Sequence, residues 1–305
     1  MRALITDPTS DKFVERLRGF GVDVDYRPGI PREELLKIVG GYEILVFRSR
    51  TKVDQELIDR GERLKILARY GVGLDNVAVD YAIKRGITIV NAPNAPSRSA
   101  AELTIGLMLA LARRIPLLDK EVKAGKWPKG KYMGVELYGK TLGVIGFGRI
   151  GRLVAQYARS LGMNVITSDV IDVSKEAEKI GARQVGFEQL LRESDAISVH
   201  VTLNPSTYRM LDDARLSLVK DNAMLINTSR GEVIDADALL KHIDRLWGAA
   251  LDVLPEEPPK SEKLLRLISH EKVIVTPHIG SETAEAYERL AEELAVNIQE
   301  AIKRL

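Results

Sequence analysis

The chain has 305 residues, enough for two domains of ordinary size. Its 45 basic and 43 acidic residues leave a net charge of only +2, which excludes a general nucleic-acid or membrane footprint and confines any cationic role to a local site. There is no cysteine, which excludes disulfides, thiolate metal sites and a cysteine nucleophile. Asp7 interrupts the opening apolar run, so no signal peptide is expected. The most apolar stretch, Leu103–Ala112, is far shorter than a membrane span. The expectation is a cytoplasmic protein with no membrane, nucleic-acid or metal partner.

Short β-branched runs alternate with helical patterns along the chain. RALIT, VDVDY, EILVF, KILAR and ITIVN read as strands, and segments between them such as REELLKIVG carry apolar residues at helical spacing. A βα series of this kind predicts a parallel, doubly wound sheet. NAPNAPS reads as a hinge, and Ala100–Arg113 as a long helix. Residues 125–140, GKWPKGKYMGVELYGK, have neither helical nor strand periodicity, and are expected to cross the surface as an extended arm bearing Lys126, Lys129, Lys131 and Lys140. A second series follows in TLGVIG, NVITSD, AISVH, AMLINTS, WGAALDV and KVIVTPH, and Thr283–Leu305 reads as one amphipathic helix. The expected fold class is α/β, two doubly wound parallel-sheet domains with a cleft between them.

LGVIGFGRIGRLVA follows a strand and opens a helix, with Gly146, Gly148 and Gly151 in G-x-G-x-x-G register. The first two glycines allow a tight turn and close approach of backbone amides to a pyrophosphate. The third allows helix and strand to pack closely, and the helix N-terminus adds positive potential. Asp169 closes the next strand, where a carboxylate accepts hydrogen bonds from ribose hydroxyls and repels a 2′-phosphate. Its neighbours Val170, Ile171 and Asp172 offer such a phosphate no arginine, which points to NAD rather than NADP.

Arg230, Glu257 and His278 each follow an apolar strand of the second series. In a parallel sheet these ends share the carboxyl edge with the glycine-rich turn. Ketone reduction needs a proton for the developing alkoxide, which an imidazole paired with a carboxylate supplies, and a cation to polarise the carbonyl, which suits Arg230. Glu256 competes with Glu257 for the pairing. His200, in an apolar strand, His242, in a polar helix, and His270, in a turn, read as structural or solvated.

NAPNAPSRSAAELT, GKTLGVIGFGRIG, NTSRGEVID, GAALDVLPEEP and TPHIGSET together resemble the D-isomer-specific 2-hydroxyacid dehydrogenase family, and the resemblance covers nearly the whole chain. It implies a flavodoxin-like substrate domain of residues 1–96 plus 283–305. It also implies a Rossmann NAD domain of 97–282, with a dimerisation helix and arm at 100–140. Arg230 would bind and polarise the 2-oxo acid, His278 would be the acid/base and Glu257 its partner. Arg149, Ile150, Thr228 and Asp252 would join the glycines and Asp169 around NAD, and Val72 and Gly73 would offer amides to the substrate carboxylate.

Within the family the likeness is strongest to members that act on a phosphorylated 2-hydroxy acid, through VFRSRTKVDQELI, ARYGVGLDN and the arm. Arg48 and Arg69, at first-domain strand ends, would then bind the phosphate. Lys129 and Lys131 would complete that pocket from the partner in a homodimer. A glyoxylate or hydroxypyruvate reductase is the alternative reading, and a non-catalytic NAD-sensing binder a third. The chain stops after its last helix, so no serine-sensing regulatory domain and little feedback by serine are expected. Two places depart from the family pattern. The turn before GAALDV lacks the usual glycine, and Glu282 puts a charge at a variable position, where it is expected to be harmless.

Overall fold

The computed structural model describes residues 1–305. The chain divides into two compact units, residues 1–96 with 282–305, and residues 97–281. Glu282, grouped with the second unit by the sequence reading, thus belongs to the first.

The first unit holds β1 (Arg2–Ile5), β2 (Asp23–Tyr26), β3 (Ile44–Phe47), β4 (Ile66–Arg69) and β5 (Thr88–Val90) in a parallel sheet of order β2-β1-β3-β4-β5. Central β3, Ile-Leu-Val-Phe, is buried at every position, as a strand covered on both faces must be. One face packs against Phe13, Leu17, Leu290, Leu294 and Ile298, the other against Leu35, Leu57 and Ile58. The helix Ala284–Lys303 lays its apolar stripe on β4, β5 and the helix Asp11–Gly19. Thr283 caps it, its hydroxyl accepting from the Ala286 amide at 3.1 Å. Chain order reverses between β1 and β3, and such reversals place ligand-binding loops beyond the carboxyl ends of strands.

The second unit holds β6 (Thr141–Ile145), β7 (Asn164–Ser168), β8 (Ala182–Gln184), β9 (Ala196–Val199), β10 (Met224–Asn227), β11 (Gly248–Leu251) and β12 (Val273–Val275). All are parallel, in the order β12-β11-β10-β9-β6-β7-β8, the doubly wound dinucleotide-binding arrangement with its reversal between β6 and β9. The sequence reading lacks β8. Ala-Arg-Gln carries no apolar run, and becomes a strand only through edge pairing with β7.

The long helix runs Ser97–Ala112, after which Arg114, at φ 52°, turns the chain into a second helix, Ile115–Lys123, that the sequence reading leaves unassigned. Residues 124–140 then contain no helix or strand. The Val135 amide donates to Ala112 O at 2.9 Å and the Gly139 amide to Gly162 O at 3.0 Å, which tie down the end of the arm. The turn before β11 is held by Trp247, whose indole N–H donates to Leu111 O at 3.0 Å while Arg114 stacks on the ring at 4.3 Å. No helix is long and apolar enough to cross a membrane.

Candidate active site

The turn between β6 and the helix Arg149–Ser160 is shaped for a dinucleotide. Gly146 lies at φ 86°, and a Cβ there would fall 2.5 Å from His200 O. A Cβ on Gly151 would fall 2.1 Å from Gly146 O, so only glycine lets the helix start this close to the turn. A Cβ on Gly148 would meet nothing within 4 Å, and Gly148 caps the helix without a side chain. The first-turn amides therefore stand open beside clear space, which fits a pyrophosphate. Asp169 Oδ2 accepts from the Phe147 amide at 2.7 Å, tying the end of β7 to this turn and leaving acceptor capacity for ribose hydroxyls. Thr104 Oγ1 donates to Ala100 O at 2.7 Å, so in its 2.8 Å contact with Thr228 the Thr228 hydroxyl donates, and Thr228 oxygen is left to accept. This chain's residues thus fit NAD, the first-turn amides at its pyrophosphate and Asp169 at its ribose. Arg149 is exposed and Ile150 half-buried at that helix start.

His278 and Glu257 meet. His278 Nδ1 lies 2.8 Å from Glu257 Oε2, while Glu257 Oε1 accepts from the Leu254 amide at 3.0 Å. Both carboxylate oxygens are thus fixed, and the imidazole is left with Nε2 as its working nitrogen. The Glu257 hydrogen bond raises the His278 pKa against the effect of burial, and the Arg230 charge opposes the rise. Burial pushes the Glu257 carboxyl up, but the His278 and Leu254 hydrogen bonds and the charges of His278 and Arg230 outweigh it and hold the pKa low. Arg230 therefore acts on both members of the pair. Glu256 has a different occupation, accepting from the amides of Lys260 and Ser261 at 3.2 and 3.0 Å and ordering the turn before the helix Glu262–Ile268.

The loops that carry these groups are braced by buried polar residues. Asn227 Oδ1 accepts from the Ser229 amide at 3.0 Å and Asn227 Nδ2 donates to Arg230 O at 2.8 Å, which fixes the Arg230 backbone. A Cβ on Gly231 would fall 2.0 Å from the carbonyl carbon of Leu254, so the loop of Arg230 lies directly on the loop of Glu257. Asp252, expected beside the nicotinamide, is 1% exposed, and its oxygens accept from Thr276 Oγ1 at 2.6 Å, Ile279 N at 2.9 Å and Gly280 N at 2.9 Å. It holds the segment bearing His278. His200 is a neutral neighbour of the turn, its Nε2 2.5 Å from Ser198 Oγ and its pKa pushed down to about 3 by burial.

In the first unit, Val72 O accepts from Asn91 Nδ2 at 2.8 Å and Gly73 O from Arg69 Nε at 2.9 Å. With both carbonyls turned back, the Val72 and Gly73 amides have no acceptor within the chain, an arrangement suited to a carboxylate. Arg69 also donates to Tyr70 O at 3.2 Å, so its guanidinium lies along its own loop. Arg48 is placed differently, stacked on Tyr287 at 5.1 Å and donating from Nη2 to Tyr287 Oη at 2.8 Å.

Sequence reasoning missed Asp7, which is 2% exposed. Its Oδ2 accepts from the Arg48 amide at 3.0 Å and Thr51 Oγ1 at 2.6 Å, and its Oδ1 from Arg50 Nε at 3.1 Å. Burial pushes its carboxyl up, and these hydrogen bonds with Arg50 more than reverse the shift. An aspartate just past a buried strand, in TDP, was the available signal. On the arm, Lys129 and Lys131 are exposed, and Lys131 Nζ lies 5.0 Å from the ring of its own neighbour Tyr132.

The chain is 43% identical over 289 residues to a D-3-phosphoglycerate dehydrogenase of Archaeoglobus fulgidus, covering 94% of this chain and 54% of that protein. It spans about half the length of several curated relatives it matches. A glyoxylate reductase of Thermococcus litoralis is 44% identical over 277 residues, covering 88% of this chain and 83% of that protein. The crystal structure of an Aquifex aeolicus D-lactate dehydrogenase complexed with NAD and lactic acid superposes with a TM-score of 0.86 at 31% identity, covering 99% of this chain and 96% of that one. Residues 105–280 match the family model described as D-isomer specific 2-hydroxyacid dehydrogenase, NAD binding domain, and with these relatives the match shows that the chain belongs to that family.

Proposed function

We propose that the chain oxidises D-3-phosphoglycerate to the 2-oxo acid with NAD. The observation that carries the reaction type is the His278–Glu257 pair at 2.8 Å under the charge of Arg230. Bound NAD supplies the hydride acceptor. His278 Nε2 takes the proton of the substrate hydroxyl, and the Glu257 carboxylate stabilises the imidazolium that results. Arg230 faces the oxygen on which negative charge develops. The amides of Val72 and Gly73 take the substrate carboxylate, Arg69 holds their loop in shape, and Arg48 takes the phosphate.

The substrate reading is supported by the relatives named D-3-phosphoglycerate dehydrogenase and by an arginine braced on an aromatic ring rather than folded onto its backbone. Initial rates with NAD across phosphorylated and unphosphorylated 2-hydroxy acids test it. The expected result is a kcat/KM for phosphoglycerate at least about tenfold above that for D-glycerate, from a charged hydrogen bond of about 1.5–3 kcal/mol. Equal values would overturn the assignment and favour a glyoxylate or hydroxypyruvate reductase. One observation favours that second reading, the Glu282 carboxylate beside Arg48.

We also propose a homodimer. Trp127 is 80% and Met133 76% exposed on the arm, and the helix Ile115–Lys123 buries no residue within one chain. Aromatic and Met side chains left in water beside a helix whose Ile115 and Val122 are also exposed are the composition of an interface.

A further inference from the structure

Arg48 already has an anion beside it within its own unit. Its Nη2 donates to Tyr287 Oη at 2.8 Å, and that hydroxyl donates to Glu282 Oε1 at 2.8 Å. The same carboxylate oxygen lies 3.6 Å from Arg48 Nη2. Tyr287 stacks under the guanidinium at 5.1 Å and Tyr70 lies 6.0 Å away, so aromatic rings limit where Arg48 can go. The Nε and Nη1 donors make no hydrogen bond within the chain. Asp7, the other carboxylate of this loop, is engaged by the Arg48 amide, Thr51 and Arg50 and makes no contact with the Arg48 guanidinium. Glu282 directly precedes Thr283, the cap of the helix Ala284–Lys303, so its backbone is fixed while its side chain remains 46% exposed.

We propose that Glu282 is a specificity-determining residue, an internal anion that competes with the substrate's phosphate for Arg48. A tethered carboxylate faces its partner at high effective concentration, and a phosphate arriving at the same guanidinium meets a like charge a few ångströms away. The phosphorylated acid binds only as Glu282 is displaced, so the residue lowers the preference for phosphate without touching the carbon that reacts. Unphosphorylated acids, which place no anion at Arg48, leave the Arg48–Tyr287–Glu282 chain closed. Sequence reasoning takes Glu282 as harmless because it stands at a variable position, and its partner Arg48, far earlier in the chain, is not visible from there. The inference rests on the assignment of Arg48 as the phosphate-binding group made above.

The test compares the wild-type enzyme with Glu282→Gln, Arg48→Gln and the double variant, measuring kcat/KM for D-3-phosphoglycerate and D-glycerate and inhibition by inorganic phosphate. Glu282→Gln keeps the hydrogen bond to Tyr287 and removes the charge. It is expected to raise the phosphoglycerate-to-glycerate ratio about two- to fivefold, a range set by the partial exposure of the pair. That gain should vanish in the Arg48→Gln background. An unchanged ratio, or an equal gain with Arg48 absent, overturns the inference. Should none of the four enzymes prefer phosphoglycerate, the substrate assignment fails, and inhibition by inorganic phosphate decides the matter separately. Tighter Arg48-dependent inhibition of Glu282→Gln then sustains the competition, and equal inhibition of both enzymes ends it.

Discussion

His278 sits at φ 56°, a left-handed backbone that non-glycine residues seldom adopt. The surroundings hold it there, the His278 amide donating to Asp252 O at 2.8 Å while the Asp252 carboxylate gathers the amides of Ile279 and Gly280. The ring is thereby delivered to Glu257 with Nε2 free, a placement that no sequence spacing contains. His278→Ala is expected to lower kcat by about 10²- to 10⁴-fold, the range for general acid–base catalysis, while NAD binding measured by calorimetry persists. Near-normal kcat would remove the proton-transfer assignment. Oxidation needs a neutral imidazole, so the rate rises as pH climbs through the His278 pKa. Glu257 holds that pKa up, and Glu257→Gln should move the acid limb of kcat/KM to lower pH. Glu256→Gln should leave the limb in place, because Glu256 bonds the amides of Lys260 and Ser261 rather than the ring. Identical profiles for the two variants would contradict that division.

Elements were legible where burial wrote a continuous apolar run. Ile-Leu-Val-Phe at β3 and Met-Leu-Ile-Asn at β10 are buried throughout, and their ends could be marked from composition alone. Arg230 and Glu257 follow the buried runs of β10 and β11, and His278 follows the shorter, half-buried run of β12. What was not legible depends on pairing and on the direction of side chains. β8 exists through its neighbour, and the helix Ile115–Lys123 leaves its apolar Ile115 and Val122 exposed, so no core covers the face that its pattern would mark. Asp252 and Arg69 stand at the expected strand ends, yet the carboxylate of one bonds the loop that carries His278 and the guanidinium of the other bonds its own loop, directions that no residue spacing encodes. The helix Ala284–Lys303 shows the opposite case, since its stripe of Leu290, Leu294 and Ile298 is plain in sequence and is buried against the first sheet. Leu294, fully buried, should cost about 2–5 kcal/mol when cut to alanine. The denaturation midpoint of the variant measures it, and a loss below about 1 kcal/mol would mean that the site collapses to fill the space.

At the scale of the molecule, what remains to be explained is the arm. Its base is fastened by Val135 to Ala112 and by Gly139 to Gly162, yet Trp127, Met133 and Tyr138 stay exposed along it. A loop that only needed to remain solvated would not keep three large apolar groups in water. In the proposed homodimer we infer that these groups anchor the arm to the partner, and that Lys131, two residues from Met133, reaches the partner's phosphate pocket beside its Arg48. Contact with Tyr132, aided by Glu121 and Glu271, raises the pKa of Lys131, which is charged at neutral pH in any case. Lys131→Ala should then raise KM for phosphoglycerate while sparing unphosphorylated acids, by about the 1.5–3 kcal/mol of a charged hydrogen bond. Heterodimers purified through two different tags, one subunit Lys131→Ala and the other Arg230→Ala, test whether the contact crosses between chains. The Arg230→Ala site is inactive, so all turnover comes from the subunit that lacks its own Lys131. If the lysine is lent across the interface, that active site still receives an intact one, and selectivity for phosphate returns to the wild-type value. Selectivity as low as in the Lys131→Ala homodimer would place the arm's lysine at its own subunit's site or at none.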